Sequence, residues 1–172
     1  MAEIASGLIM QVDEGVVARY LLQVAELAEF LRQRYKLPVL NGCHVMYVGA
    51  DHLLPNVPRE ECTAETFTGL VLGAFRLRVL GLGFAMKLHE KELPADGKRP
   101  IEPVKCALPR NAYSTEFLMG LWSLVGEAHE RGIFKEVKRG VKPAPNREES
   151  GLYTQKFIPF DEAEFSATID KL

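Results

Sequence analysis

Four side chains between positions 43 and 52 are of types that can do chemistry. Cys43 and His44 are adjacent, and Asp51 and His52 form a second adjacent pair. A cysteine beside a histidine pairs a nucleophile with a general base, and two histidines with an aspartate are ligand types that Zn²⁺ accepts. These four residues are therefore the candidates for the site of a small enzyme.

The spacing of these residues disfavours both chemistries. Adjacent residues of a strand point to opposite faces, so Cys43 and His44 cannot easily meet. Structural zinc sites use two cysteines or two histidines a few residues apart, and neither pair occurs. The glycines of Gly81-Leu82-Gly83 lack the third glycine of a dinucleotide-binding loop. We therefore predict no metal and no cofactor, and we favour a protein that is not an enzyme.

The strongest charge pattern lies between positions 131 and 147. Six basic residues and one acid give this segment a net charge of +5. The six are Arg131, Lys135, Lys138, Arg139, Lys142 and Arg147. Lysines and arginines on a helix end and a loop can contact a phosphate backbone without reading bases. The simpler interpretation is a solvated surface, or pairing with the acidic patches of a second copy.

The composition excludes several classes of protein. The chain has 172 residues, of which 47% are hydrophobic and 26% charged, which predicts one globular domain over 1–172. The net charge of -2 excludes a globally basic nucleic-acid binder. Three cysteines without a C-x-x-C spacing, and a start without a basic segment, predict a reduced, cytoplasmic protein.

Two segments have the one-sided apolar stripe of a surface helix. The first runs from Asp13 to Lys36, with acids at its start and basic residues at its end, as the helix dipole favours. The other begins at Ser114 or Thr115 and ends near Arg131. Its predicted inward residues are Phe117, Leu121, Leu124 and Ala128.

Between these helices, residues 67–88 are apolar nearly all round. We predict a helix that starts at Thr63 and continues through this segment, buried in the core or against a partner. Arg76 and Arg78 exclude a membrane span, because each costs about 2.5–3.5 kcal/mol in a bilayer. Gly69 and Gly73 invite close packing by another backbone. The alternative is a strand over 75–79 followed by a turn.

The remaining segments complete the predicted fold. Four prolines predict a connector over 94–109 that cannot be a central strand. A flexible basic loop is expected over 140–151, and Asp161 with Glu164 resembles the capping box of a terminal helix. We therefore predict a mostly α fold of three main helices, a C-terminal helix and a few short strands or arms. The alternative is α+β, with strands near 44–48, 76–79 and 155–160 in one small sheet.

Three functions are consistent with this sequence. The favoured one is a non-enzymatic helical subunit that assembles with itself or with another protein. The second is a subunit that contacts nucleic acid through the basic segment 131–147. The third is a small enzyme with its site at 43–52. The residues match the motif set of no family, so none of the three is supported by resemblance.

Overall fold

The computed structural model describes residues 13–42, 45–83, 102–108, 113–144 and 157–172. These ranges contain six α-helices, one turn of 3₁₀-helix at Arg59–Glu61 and two antiparallel sheets, so the fold is mostly α with small sheets, as predicted. The helices are α1 Glu14–Tyr35, α2 Ala50–Leu53, α3 Thr63–Phe75, α4 Thr115–Glu130, α5 Ile133–Glu136 and α6 Glu162–Lys171. The strands are β1 Val39–Asn41, β2 Val45–Gly49, β3 Leu80–Gly81, β4 Pro103–Ala107, β5 Val141–Pro143 and β6 Phe157–Pro159.

The long helices begin where short polar side chains can cap them. The Asp13 carboxylate accepts from the Val16 N–H, Ser114 accepts from Phe117 and Asp161 accepts from Glu164. Each cap satisfies a backbone donor that has no partner inside the helix. The predicted starts of α1, α4 and α6 are therefore confirmed.

Helix α4 buries only part of the face that we predicted. Ala128 is buried as predicted, but Phe117 is 53% exposed and Leu124 is 43% exposed. The larger side chains that the helix buries are Leu118, Trp122 and Val125. Both sets recur with helical spacing, and the sequence alone did not decide between them. Burying the indole ring of Trp122 removes more apolar surface from water than burying Phe117 would, which favours the observed face.

The predicted helix over 67–88 is wrong beyond Phe75. Arg76 adopts a left-handed conformation with φ 57° and ψ 20°, and its N–H donates to the Leu72 carbonyl oxygen to close the helix. The alternative strand over 75–79 is also not formed. The next strand in the chain is β3 at Leu80–Gly81. The charged groups of Arg76 and Arg78 are thereby left exposed to water. Residues 84–88 lie outside the described residues.

Strand β4 corrects the prediction of a connector over 94–109. The larger sheet has the order β1-β2-β4-β3, so Pro103–Ala107 is a central strand. Proline is tolerated there because Pro103 is the first residue of the strand, where it interrupts the ladder least. The rest of the predicted connector, apart from 102 and 108, lies outside the described residues.

The second sheet corrects the predicted loop over 140–151. Val141–Pro143 forms β5, which pairs with β6 at Phe157–Pro159. The α+β alternative predicted a single small sheet that includes the strand near 155–160. In the structure that strand is β6, which lies in a different sheet from β2. Residues 145–151 of the predicted loop lie outside the described residues.

The two glycines of α3 allow the C-terminal helix to pack closely. A Cβ at Gly69 would lie 2.9 Å from the Phe165 ring, and one at Gly73 would lie 2.6 Å from Ile169 Cδ1. Phe165 and Ile169 are four residues apart on α6, so their spacing matches that of the glycines. The predicted close approach of another backbone is therefore wrong at these two glycines, where the side chains of Phe165 and Ile169 pack instead.

Candidate functional site

The structure describes half of the predicted cysteine–histidine site. Asp51 and His52 lie on the short helix α2, where Asp51 is half-buried and His52 is exposed. Cys43 and His44 lie outside the described residues. Among the residues that the structure describes, no three histidine, cysteine, aspartate or glutamate side chains are close enough to hold a metal ion.

His52 is close enough to His129 on α4 for their charges to interact. The pKa of His129 is lowered, mainly because the side chain is partly buried, and then by the positive charges of Lys135 and His52. Glu130 opposes this shift. The Nδ1 atom of His129 is buried without a hydrogen-bond partner in the described structure. Neutral imidazole is therefore favoured at this position.

Cys106 is a poor nucleophile in this fold. Its side chain lies on the inner face of β4, 2% exposed, and its thiol donates weakly to the Val104 carbonyl oxygen at 3.7 Å. Burial raises the pKa of the thiol far above its usual range, because the thiolate would lose its solvation. Cys106 is therefore a core residue.

Arg139, at the centre of the predicted basic segment, is bound by an acid of the same chain. Its Nε lies 3.0 Å and one terminal nitrogen 2.9 Å from Glu61 Oε1. The second oxygen of Glu61 accepts from the Gly140 N–H at 2.7 Å. The Arg139 guanidinium also lies 4.9 Å from the centre of the Phe160 ring. Because Glu61 is 6% exposed, this contact joins the segment to the interior.

Other parts of the basic segment also contact the C-terminal helix. The Glu164 carboxylate accepts from the backbone N–H groups of Lys138 and Arg139, at 2.7 and 3.3 Å. Lys171 pairs at 2.6 Å with Glu136, the one acid of the segment. Two of the remaining basic residues also make contacts: Arg131 donates to the Lys171 carbonyl oxygen at 3.5 Å, and Lys142 lies 5.0 Å from the Phe160 ring centre. Lys135 is exposed, and Arg147 lies outside the described residues.

An open groove of about 590 Å³ lies between α1 and the start of α4. It is lined by Arg19, Leu22, Gln23, Glu26 and residues 113–116. The two helices are held together here by Gln23, whose Nε2 donates to the Tyr113 carbonyl oxygen at 2.9 Å. Leu22 is 61% exposed, and Tyr113 stacks on the exposed Phe117 with ring centres 5.0 Å apart. Helices α1 and α4 thus present apolar side chains to solvent.

The larger sheet has a second apolar surface. In its register, Leu40 faces Tyr47, Tyr47 faces Lys105 and Lys105 faces Leu80, so one row crosses all four strands. We call these four residues the outer row. Leu40 is 66% exposed and Leu80 is 56% exposed. The adjacent row, Val39, Val48, Val104 and Gly81, faces inward, and its three valines are fully buried.

Sequence reasoning missed both apolar surfaces. The outer row joins residues up to 65 positions apart, and only the strand register brings them together. The exposed face of α4 had a visible signal, because Phe117 and Leu124 recur with helical spacing. That signal was assigned to the core. In the described ranges, no helix is both long and apolar enough to span a membrane.

Two known proteins are similar to this chain. They are the "Probable tryptophanase" proteins of Halobacterium salinarum strains R1 and NRC-1, each 31% identical over 135 residues. The match covers 77% of this chain but only 28% of each relative. The chain therefore corresponds to a little over a quarter of the length of these relatives. No protein-family model matches the chain.

Proposed function

We propose that this chain is a helical assembly domain of a larger enzyme related to tryptophanases. The likeness to a portion of the Halobacterium salinarum proteins carries this proposal, because in those proteins the matched stretch is joined to more than twice its own length of other polypeptide. In such an enzyme this domain provides contact surfaces for the other polypeptide. The other polypeptide is needed to complete the set of catalytic groups.

The distribution of exposed apolar side chains supports an assembly role. Leu21 and Leu22 on α1, and Phe117 and Leu124 on α4, are each more than 40% exposed. Single exposed apolar residues are ordinary, but contiguous apolar surface on a protein indicates a contact with another surface. The glycine-bearing helix α3 does not have this role on its Gly69–Gly73 face, because α6 covers it.

Native extracts provide the test. We expect the protein to elute on size exclusion well above its own 19.2 kDa, in fractions that consume tryptophan. Antibody depletion of the protein should remove that activity, while a non-binding antibody should leave it. Elution as a 19.2 kDa monomer, or tryptophan consumption that survives complete depletion, would contradict the proposal.

The other two hypotheses from the sequence have less support. Nucleic-acid binding through 131–147 would depend on the basic residues other than Arg139, because the Arg139 guanidinium is held by Glu61. The others are Arg131, Lys135, Lys138, Lys142 and Arg147. Binding that does not weaken as salt rises would exclude it. An enzyme site at 43–52 would use Cys43, His44, Asp51 and His52, with His129 close enough to His52 for their charges to interact.

A further inference from the structure

We propose that residues 157–172, which comprise strand β6 and helix α6, form a clasp that opens and closes on the rest of the fold as one unit. When the clasp is closed, it covers the face of α3 that carries Gly69 and Gly73. When it opens, that face meets water while α1, α3, α4 and the larger sheet stay folded. The proposal goes beyond the proposed function and does not depend on it, because every contact it uses lies within this chain.

Helix α6 lies shallowly on the fold. Of its ten residues, Thr168 is the one that is buried, whereas α3 buries seven of its thirteen. The contact of α6 with the two glycines of α3 is made by Phe165 and Ile169, whose side chains are only partly buried. Elements with few buried apolar contacts open at a lower free energy than the core of the same protein. We therefore expect α6 to leave the fold more often than α1, α3 or α4 unfolds.

The polar contacts that position α6 lie at the surface. The Glu164 carboxylate accepts from the Lys138 N–H in an exposed hydrogen bond. In the ion pair between Lys171 and Glu136, the two side chains are 56% and 61% exposed. Water and salt screen such pairs, so each adds little to stability. These contacts therefore set the orientation of the clasp more than they hold it closed.

The clasp opens as one unit because neither of its elements is stable alone. A helix of ten residues is too short to persist in water without a surface to pack on. Within the described ranges, β6 pairs with β5 alone, and a two-stranded sheet is marginal by itself. Asp161, the cap of α6, follows the last residue of β6 after a single residue. Loss of the contact with α3 therefore melts α6 and releases β6 with it.

Helix α3 does not depend on the clasp for its own position. Its Phe67, Leu70 and Val71 side chains are 0% exposed and belong to the main hydrophobic core. The clasp packs on the face of the helix that carries Gly69 and Gly73. Opening therefore uncovers an intact helix face, and the clasp controls access to it.

Hydrogen exchange of the full chain, measured by mass spectrometry, tests the proposal. Ile169→Ala weakens only the closed form, so peptides from 157–172 should exchange about tenfold faster than in the parent protein. The factor should be the same for β6 and for α6. Ser166→Ala, at an exposed position of the same helix, is the matched control and should change exchange by less than about twofold. Acceleration of α6 without β6 would show fraying of the chain end and would overturn the proposal.

A substitution in the core separates opening of the clasp from unfolding of the whole protein. Val125 on α4 is 0% exposed and stays buried whether the clasp is open or closed. Val125→Ala should therefore accelerate the slowest exchange in 115–130 about tenfold and leave 157–172 unchanged. If 157–172 accelerates by the same factor as 115–130, the clasp opens only when the protein unfolds, and the proposal is wrong. This comparison decides the matter even if Ile169→Ala does not fold.

Discussion

Replacing Glu61 by glutamine tests the contact that fixes the basic segment to the core. The carboxylate is 6% exposed and accepts from the Gly140 N–H at 2.7 Å and from Arg139 at 2.9 and 3.0 Å. Glutamine keeps the shape but has one acceptor oxygen, so its amide nitrogen must face one of these donors. A hydrogen bond to a charged group contributes about 1.5–3 kcal/mol, so we expect Glu61→Gln to cost about 2 kcal/mol. Arg139 adds little to this figure because solvent screens its side chain, which is 46% exposed.

Urea unfolding followed by circular dichroism measures this cost. Glu60→Gln is the matched control, since Glu60 is the neighbouring glutamate and is exposed. The control should change the free energy of unfolding by less than about 0.5 kcal/mol. Equal midpoints for the two variants, with equal denaturant slopes, would show that the buried carboxylate does not stabilise the fold and would refute the reasoning.

Three further predictions follow from the described contacts. Gly126→Ala should destabilise the protein by about 1–3 kcal/mol, because the added methyl group overlaps the buried Tyr35 ring. Gly120→Ala on the same helix meets open space and should stabilise the protein by up to about 1 kcal/mol. Thermal unfolding of both variants checks that the two changes in stability have opposite signs. The pKa of His129 is lower in the folded protein, so the unfolded chain binds more protons and stability should fall as the pH drops below about 6.5. Urea midpoints at pH 7.5 and 5.5 should therefore differ less in His129→Gln than in the parent protein, and an unchanged difference would contradict this. Because burial raises the pKa of the Cys106 thiol, iodoacetamide should alkylate it only after unfolding, and rapid labelling of the native protein, located by peptide mass spectrometry, would contradict the structure.

Local sequence was sufficient to predict where the long helices begin and the overall class of the fold. The caps at Asp13, Ser114 and Asp161 act within three residues, so local sequence was sufficient to place them. The end predicted near Arg131 is followed by Gly132, whose φ of 77° is a left-handed conformation that favours glycine. Interactions between near neighbours do not depend on the rest of the fold.

Where the sequence fitted two patterns equally well, contacts between distant parts of the chain selected one of them. Residues 76–81 leave the helix because β4 provides a strand for Leu80 and Gly81 to pair with, and Gly81 packs against the backbone of Ala64. The basic segment pairs with Glu61, which lies 78 positions earlier than Arg139. The outer row exists only through the register of four strands. Each of these contacts joins distant parts of the chain, and local propensity carries no information about such partners because their energy arises only when the chain has folded.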